Sequence, residues 1–261
     1  MTIFKHEIRK ARIPWLIWTA SISFMVVICI LMYPQMESEM DAMGNMFASM
    51  GSFSAAFGMD KLNFGSFLGF YSVECGNILG LGGAFFACLV GAAALSKEEK
   101  DKTAEFLLTH PVSRSTVITE KLDAVLVQVL ALNLVVFLLS LICTRISCGQ
   151  IYWREMLLIH AAYLLLLVEL SCVCFGISAF LKNSSLGIGM GLACILYFLN
   201  LMANMTDSLK FLKWFTPFSY CEGSDIVINM KLDGGYVLVG LLFTTAGIAA
   251  AYWHYTKKDV Q

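Results

Sequence analysis

Along this chain the apolar positions gather into six long windows with polar stretches between them. The windows run from Trp15 to Tyr33, Cys75 to Ser96, Ala124 to Thr144, Met156 to Leu181, Asn183 to Thr206 and Gly234 to Thr256. Each is close to the roughly 20 apolar residues that cross a hydrocarbon core about 30 Å thick. Alternating ten-residue segments, which would build a barrel, are missing, so helices satisfy the backbone. The pattern predicts an all-α integral membrane protein: one transmembrane domain over residues 1–261 with six transmembrane helices.

Composition agrees. Hydrophobic residues make up 58% of the 261 positions and charged residues only 14%, with a mean hydropathy of +0.73. Soluble domains carry about 25% charged residues, so a water-soluble globular reading is excluded. The net charge of -1 provides no global field for nucleic acid. Local charge sets the topology instead. With the N-terminus cytoplasmic, segments 1–14, 97–123, 182 and 257–261 hold 12 Lys/Arg in 47 residues, against six in the 79 residues of the outer segments. This satisfies the positive-inside rule and places both termini in the cytoplasm. The first span lacks a small-x-small cleavage site after it and reads as an anchor, not a signal peptide.

The connecting segments carry more information. Residues 1–14 place Ile3, Phe4, Ile8 and Ala11 at near-helical spacing, with Lys5, Arg9 and Arg12 on another face. This is either an amphipathic helix in the inner interface, broken from the first span at Pro14, or a basic topology signal alone. In the segment 97–123, seven of the ten residues from Ser96 to Glu105 are charged, and the triplet Phe106-Leu107-Leu108 follows. Pro111 stops a helix and Ser113-Arg114-Ser115 restarts one, which makes either a protrusion suited to docking a partner or a solvated hairpin.

Two segments are expected outside. Residues 34–74 carry a Met series at 36, 40, 43, 46 and 50 with Phe47 beside it, one stripe on a helix. It packs on neighbours or the outer leaflet; thioethers at this spacing also suit soft Cu(I). Residues 207–233 contain Trp214, Phe215, Pro217, Phe218 and Tyr220, too aromatic for a solvated loop. They form either an interfacial aromatic belt or a re-entrant helix-break-helix, and Thr216-Pro217 favours the re-entrant form.

Within the spans one carboxylate sits near the middle, Glu169. A charge there costs about 2.5 to 3.5 kcal/mol by insertion scales. It lines a translocation path or hydrogen-bonds another helix. His160 lies nine residues earlier, too far along the helix to pair with it. Gly76 with Gly80, and Gly187 with Gly191, form GxxxG pairs that permit close helix packing, within or between protomers. The nine cysteines show no CxxC and no spacing with His that predicts a metal site. There is no GxxxxGK[ST], HExxH or GxSxG, so no nucleotide-hydrolysing or familiar hydrolytic chemistry is expected in this chain, and no catalytic residues are assigned.

The cytoplasmic stretch Glu98, Glu99, Thr103, Glu105, Leu107, Leu108, Pro111, Val112, Ser113, Arg114 and Lys121 resembles that of the membrane-spanning permease subunits of bacterial ABC-2 type ABC transporters. The stretch from Trp214 to Tyr220 and the ending Tyr255-Thr256-Lys257-Lys258-Asp259 are similar to theirs too. The resemblance implies a half-transporter that pairs with a second permease copy, expected as a homodimer, and binds two copies of a cytoplasmic P-loop ATPase. Residues around 97–115 would be the coupling helix, and 207–233 the outer re-entrant element. No cofactor is expected in this chain; ATP and Mg2+ would sit in the partner. The expected location is the bacterial cytoplasmic membrane, multi-pass, in contact with lipid.

Short outer loops and apolar spans leave no evident polar site for a sugar or ion. Export of a hydrophobic or amphipathic substrate is therefore expected, with a peptide toxin or antimicrobial peptide favoured. The rivals are a proton-coupled secondary transporter using Glu169 and a non-transporting membrane immunity or anchor protein.

Overall fold

The computed structural model describes residues 2–59, 61–63, 65–97, 113–181 and 186–257, apart from the side chains of residues 37, 38, 40–45, 47–49 and 186. Helix α1 covers Thr2–Ser49, α2 Ser52–Ala56 and α3 Phe67–Phe70. A π-helical turn, Tyr71–Cys75, joins α3 to α4, Gly76–Ala93. Then come α5 (Arg114–Cys148), α6 (Trp153–Ser178) and α7 (Leu186–Met205). Two 3-10 segments, Asp207–Phe215 and Pro217–Cys221, lead to α8 (Gly223–Asn229) and α9 (Gly234–Lys257). Six helical stretches, beginning at Thr2, Phe67, Arg114, Trp153, Gly187 and Gly234, are long and apolar enough to cross a membrane. Among the described residues there is no strand, and the chain is an all-α integral membrane protein.

Helix α6 lies at the centre. It packs on α4, α5 and α9, while α1 lies along α5, and α7 lies against α4. Apolar residues surround α6 on every face, the signature of a helix enclosed by other helices. Its close neighbours meet it through small residues. A Cβ at Gly80 of α4 would lie 2.9 Å from the Tyr163 ring, so the first GxxxG pair makes room for that aromatic within this chain. At Gly91 a Cβ would strike the Ser171 carbonyl and come within 3.0 Å of Cys174 Cβ. Gly191, of the second pair, faces nothing within 4 Å.

The expected break at Pro14 does not form. Helix α1 runs through Pro14 and Pro34, both on its exposed side. A proline removes one backbone hydrogen bond and usually kinks or ends a helix. Here α5 holds α1 on both sides of the first proline: Phe4 N donates to Glu120 Oε2 at 2.9 Å, and Trp15 Nε1 donates to the Gln128 carbonyl at 2.9 Å. Tertiary contact outweighs the local preference. Beyond Tyr33 the helix continues to Ser49, so the Met series lies on it from Met36 to Met46, and Met50 falls just past its end. Met36 is partly buried against the core, and Met46 and Met50 are exposed. The side chains of Met40, Met43 and Phe47 lie outside the described set.

A polar network crosses the core. Asn133 of α5 donates to the His160 carbonyl at 3.1 Å and meets His160 Nδ1 at 3.2 Å, while Tyr71 of the π-turn lies 2.8 Å from His160 Nε2. A neutral imidazole with its proton on Nδ1 satisfies all three side chains: Nδ1–H donates to Asn133, and the Tyr71 hydroxyl donates to Nε2. His160 thus finds its partners on other elements.

The packing yields a paired prediction. Gly91→Ala should lower stability by about 1–3 kcal/mol through overpacking, and Gly191→Ala should be neutral or better. Thermal melts in mild detergent check both; equal effects at the two sites would contradict the packing described here.

Candidate functional site

Two ends of this bundle carry groups of polar contacts between elements. One is the far end, where α5 turns into α6; the other is where α1 begins and α9 finishes.

At the far end the segment after α7 turns inward. Thr216 caps the 3-10 segment Pro217–Cys221: its Oγ1 accepts from Phe218 N at 3.3 Å and donates to the Leu196 carbonyl of α7 at 2.8 Å. Pro217, Phe218 and Tyr220 are buried, whereas Trp214 and Phe215 are exposed. Cys221 Sγ donates to the Ala162 carbonyl at 3.2 Å, nine residues inside α6 from Trp153. Tyr220 reaches deeper. Its hydroxyl donates to Glu169 Oε2 at 2.8 Å, sixteen residues from the start of α6 and therefore about 24 Å along its axis at 1.5 Å per residue. Glycine at 240 on α9 leaves the space that the carboxylate fills, since a Cβ there would strike Oε2.

A cluster of charges closes this end. Lys61 Nζ lies 3.0 Å from Glu222 Oε2 and 2.8 Å from Asp225 Oδ2, and Lys213 Nζ lies 3.1 Å from Glu222 Oε1. Glu222 is 7% exposed and Lys213 14%, while the Lys61–Asp225 pair is partly open to solvent; together the pairs tie Lys61 to the segment around Glu222, to the first 3-10 segment and to α8. Burial alone would push the Glu222 carboxyl up, but Lys213 and Lys61 together hold it below the usual carboxylate range. Burial opposes the charge on Lys61, and Glu222 and Asp225 outweigh it to raise the ammonium.

Beneath the cluster lies a cavity of about 50 Å³ between α4, α7 and Pro217–Cys221. Its walls include Asn77, Tyr163, Tyr197, Asn200, Asn204 and Glu222. Tyr197 donates to Asn77 Oδ1 at 3.2 Å. Asn200 Oδ1 and Asn204 Oδ1 are buried without a hydrogen-bond partner among the described residues. The sequence shows no evident polar site for a sugar or ion, and these residues do not stand out in it. The signal was present: Tyr197, Asn200 and Asn204 recur at helical spacing inside an apolar span, the one pattern that puts polar groups on a single interior face.

At the opposite end the first two turns of α5 grip three other helices. Ser113 caps α5, its Oγ accepting from Thr116 N at 3.2 Å. Arg114 Nη1 donates to the Thr256 carbonyl at 3.2 Å and Thr119 meets the Tyr252 hydroxyl at 2.6 Å, both on α9. Glu120 holds the first turn of α1 through Phe4 N. Lys121, 1% exposed, donates to the Ala94 carbonyl at the end of α4 at 2.7 Å and pairs with Glu7 of α1 at 3.4 Å. A cation suits that position, where unsatisfied carbonyls gather. Of the residues marked as a coupling segment, Glu98, Glu99, Thr103, Glu105, Phe106, Leu107, Leu108 and Pro111 lie outside the described residues; Arg114 lies inside them.

Two predictions concern the far end. Tyr220→Phe should cost about 1–3 kcal/mol because Glu169 loses its donor, whereas Glu169→Gln keeps an acceptor and should cost less; melts that rank the variants the other way would refute the contact. Glu222, lowered in the folded chain, adds stability that is complete above its unfolded value and fades as pH falls through its folded one. Glu222→Gln should therefore be less stable than wild type at neutral pH, with the gap closing below about pH 4. A gap independent of pH would contradict the pairing.

Comparison with known proteins bears on the whole molecule. The search of curated proteins found no match. The family model described as ABC-2 family transporter protein matches residues 1–260. A match of that extent takes in all six spans, the inward-turning segment and the α5 hub: the chain belongs to the ABC-2 transporter family and is a membrane permease of an ABC transporter.

Proposed function

We propose that this permease exports a hydrophobic or amphipathic substrate, a peptide in the first instance, and that a separate cytoplasmic ATPase drives it. Two ATPase copies and a second permease copy complete the assembly in this reading. The family match over residues 1–260 carries it. It implies a partner with an ATP-binding subunit, and this chain has no GxxxxGK[ST] of its own.

The α5 hub gives the reading a physical route. A displacement of residues 98–112 by a docked ATPase acts directly on Ser113 and Arg114, at the start of α5. From there Arg114 and Thr119 pull on α9, Glu120 on α1, and Lys121 on α1 and α4. Helices are stiff, so movement at these ends is carried past the Tyr220–Glu169 contact, deep in the bundle, toward the far end where the charge cluster sits. In this reading the far end faces outward and the hub faces the cytoplasm, which the basic residues of segments 1–14 and 97–123 support.

Co-purification in mild detergent, with subunit stoichiometry by mass spectrometry, is the direct test. A P-loop ATPase at one copy per permease supports the proposal, and its reproducible absence from folded permease overturns it. Within a reconstituted complex, Lys121→Met should reduce transport by about fivefold or more while ATP hydrolysis continues, since ordinary coupling energies correspond to about 5- to 150-fold. Transport and hydrolysis both at wild-type levels would remove Lys121 from the route.

A further inference from the structure

The cavity below the charge cluster has a chemical imbalance. Asn200 is 6% exposed, yet its Oδ1 has no donor among the described residues, and Asn204 Oδ1, four residues on, has none either. Both line the cavity, and Asn77 faces them across it with its own Oδ1 already bound by Tyr197. Leaving such acceptors unpaired is expensive away from water. The nearby charges Lys61 and Lys213 pair with Glu222 and Asp225, Glu74 is a further carboxylate close to Tyr197, and among the described residues no group of three or more His, Cys, Asp or Glu could hold a metal ion. The missing component is a neutral donor of hydrogen bonds.

Spacing narrows the choice. Residues four apart on a helix stand about 6 Å apart along its axis. In an extended peptide the N–H groups on one side recur every second residue, about 6.6 Å apart. The volume of about 50 Å³ holds an edge of polypeptide, not a whole ligand; a single water needs about 15 Å³. The rings of Tyr163, Tyr197 and Phe218 supply apolar walls.

We infer that the Asn200–Asn204 face of this cavity binds the backbone amides of an extended, uncharged stretch of peptide. This rests on the exporter reading for its biological meaning, and it names the substrate feature that the site recognises: peptide N–H groups, independent of side-chain sequence. Asn200 has no side-chain hydrogen bond to the walls among the described residues, whereas Asn204 Nδ2 donates to the Ala56 carbonyl at 3.4 Å, so Asn200 gives the cleaner test; Tyr163 and the clasp around Glu222 are held by other contacts.

The test uses the full-length permease in lipid nanodiscs without nucleotide. The probes are a short fluorescent leucine–serine peptide and the same peptide with alternate backbone amides N-methylated, which removes donors and keeps the apolar surface. Fluorescence anisotropy should show wild type binding the unmethylated peptide about tenfold more tightly, the equivalent of one or two net hydrogen bonds. Asn200→Leu and Asn204→Leu should each cut the preference by about threefold, and the double variant should abolish it. Asn200→Ala serves in place of the leucine variant if the latter does not fold. Equal affinity of wild type for both peptides, or an undiminished preference in the double variant, overturns the inference. Because no ATPase takes part, binding with preference but without a co-purifying ATPase would fail the exporter reading alone, and the reverse would fail this one alone.

Discussion

A polar group drawn into the interior of a membrane protein has to find its partner there, because neither lipid nor packed side chains supply one. In this permease that demand falls mainly on α6. Glu169 and His160 lie on the central helix, and each is met by a group from another element: Tyr220 from the inward-turning segment, Tyr71 from the π-turn, Asn133 from α5. The Tyr220 hydrogen bond has the longest reach. It fixes a 3-10 segment deep against α6 and sets the floor on which the cavity and the charge cluster rest.

From that floor the far end assembles in layers. Tyr220 and Cys221 anchor Pro217–Cys221 to α6, and the chain leaves immediately as Glu222, which is held between Lys61 and Lys213. The anchoring is apolar and hydrogen-bonded below, ionic above. At the opposite end the α5 hub has another character: short contacts from one pair of helical turns to the ends of α1, α4 and α9. The two ends share α9, whose Gly240 accommodates Glu169 and whose Thr256 is gripped by Arg114. A rigid helix touching both is the simplest mechanical link between them.

Much of this was legible in the residues. Apolar runs gave six spans because bilayer thickness leaves little choice, and Thr216-Pro217 marked the turn into the bundle because proline there begins a new helical segment. Glu169 stood out because a lone carboxylate in an apolar helix is costly. Pro14 misled: its local preference for a break is real, but the Glu120 and Trp15 contacts that override it join residues over a hundred positions apart. The asparagines of α7 were missed for a different reason. A single Asn is unremarked in a membrane helix, and only its register with Tyr197 and with Asn77 on another helix makes a site. Lys121 was visible as a basic residue near a span, but its role depends on the Ala94 carbonyl, which no spacing rule connects to it.

The central claim is that the Tyr220–Glu169 contact holds Pro217–Cys221 inside the bundle, and Cys221 reports on it directly. In bilayer-reconstituted protein treated with a small maleimide, labelling of each cysteine is followed by mass spectrometry, with half-buried Cys148 as the internal reference. The account predicts that Cys221 is protected in wild type and becomes reactive when Tyr220 and Glu169 are replaced together by Phe and Leu. Labelling of Cys221 in wild type as fast as that of Cys148 would contradict it.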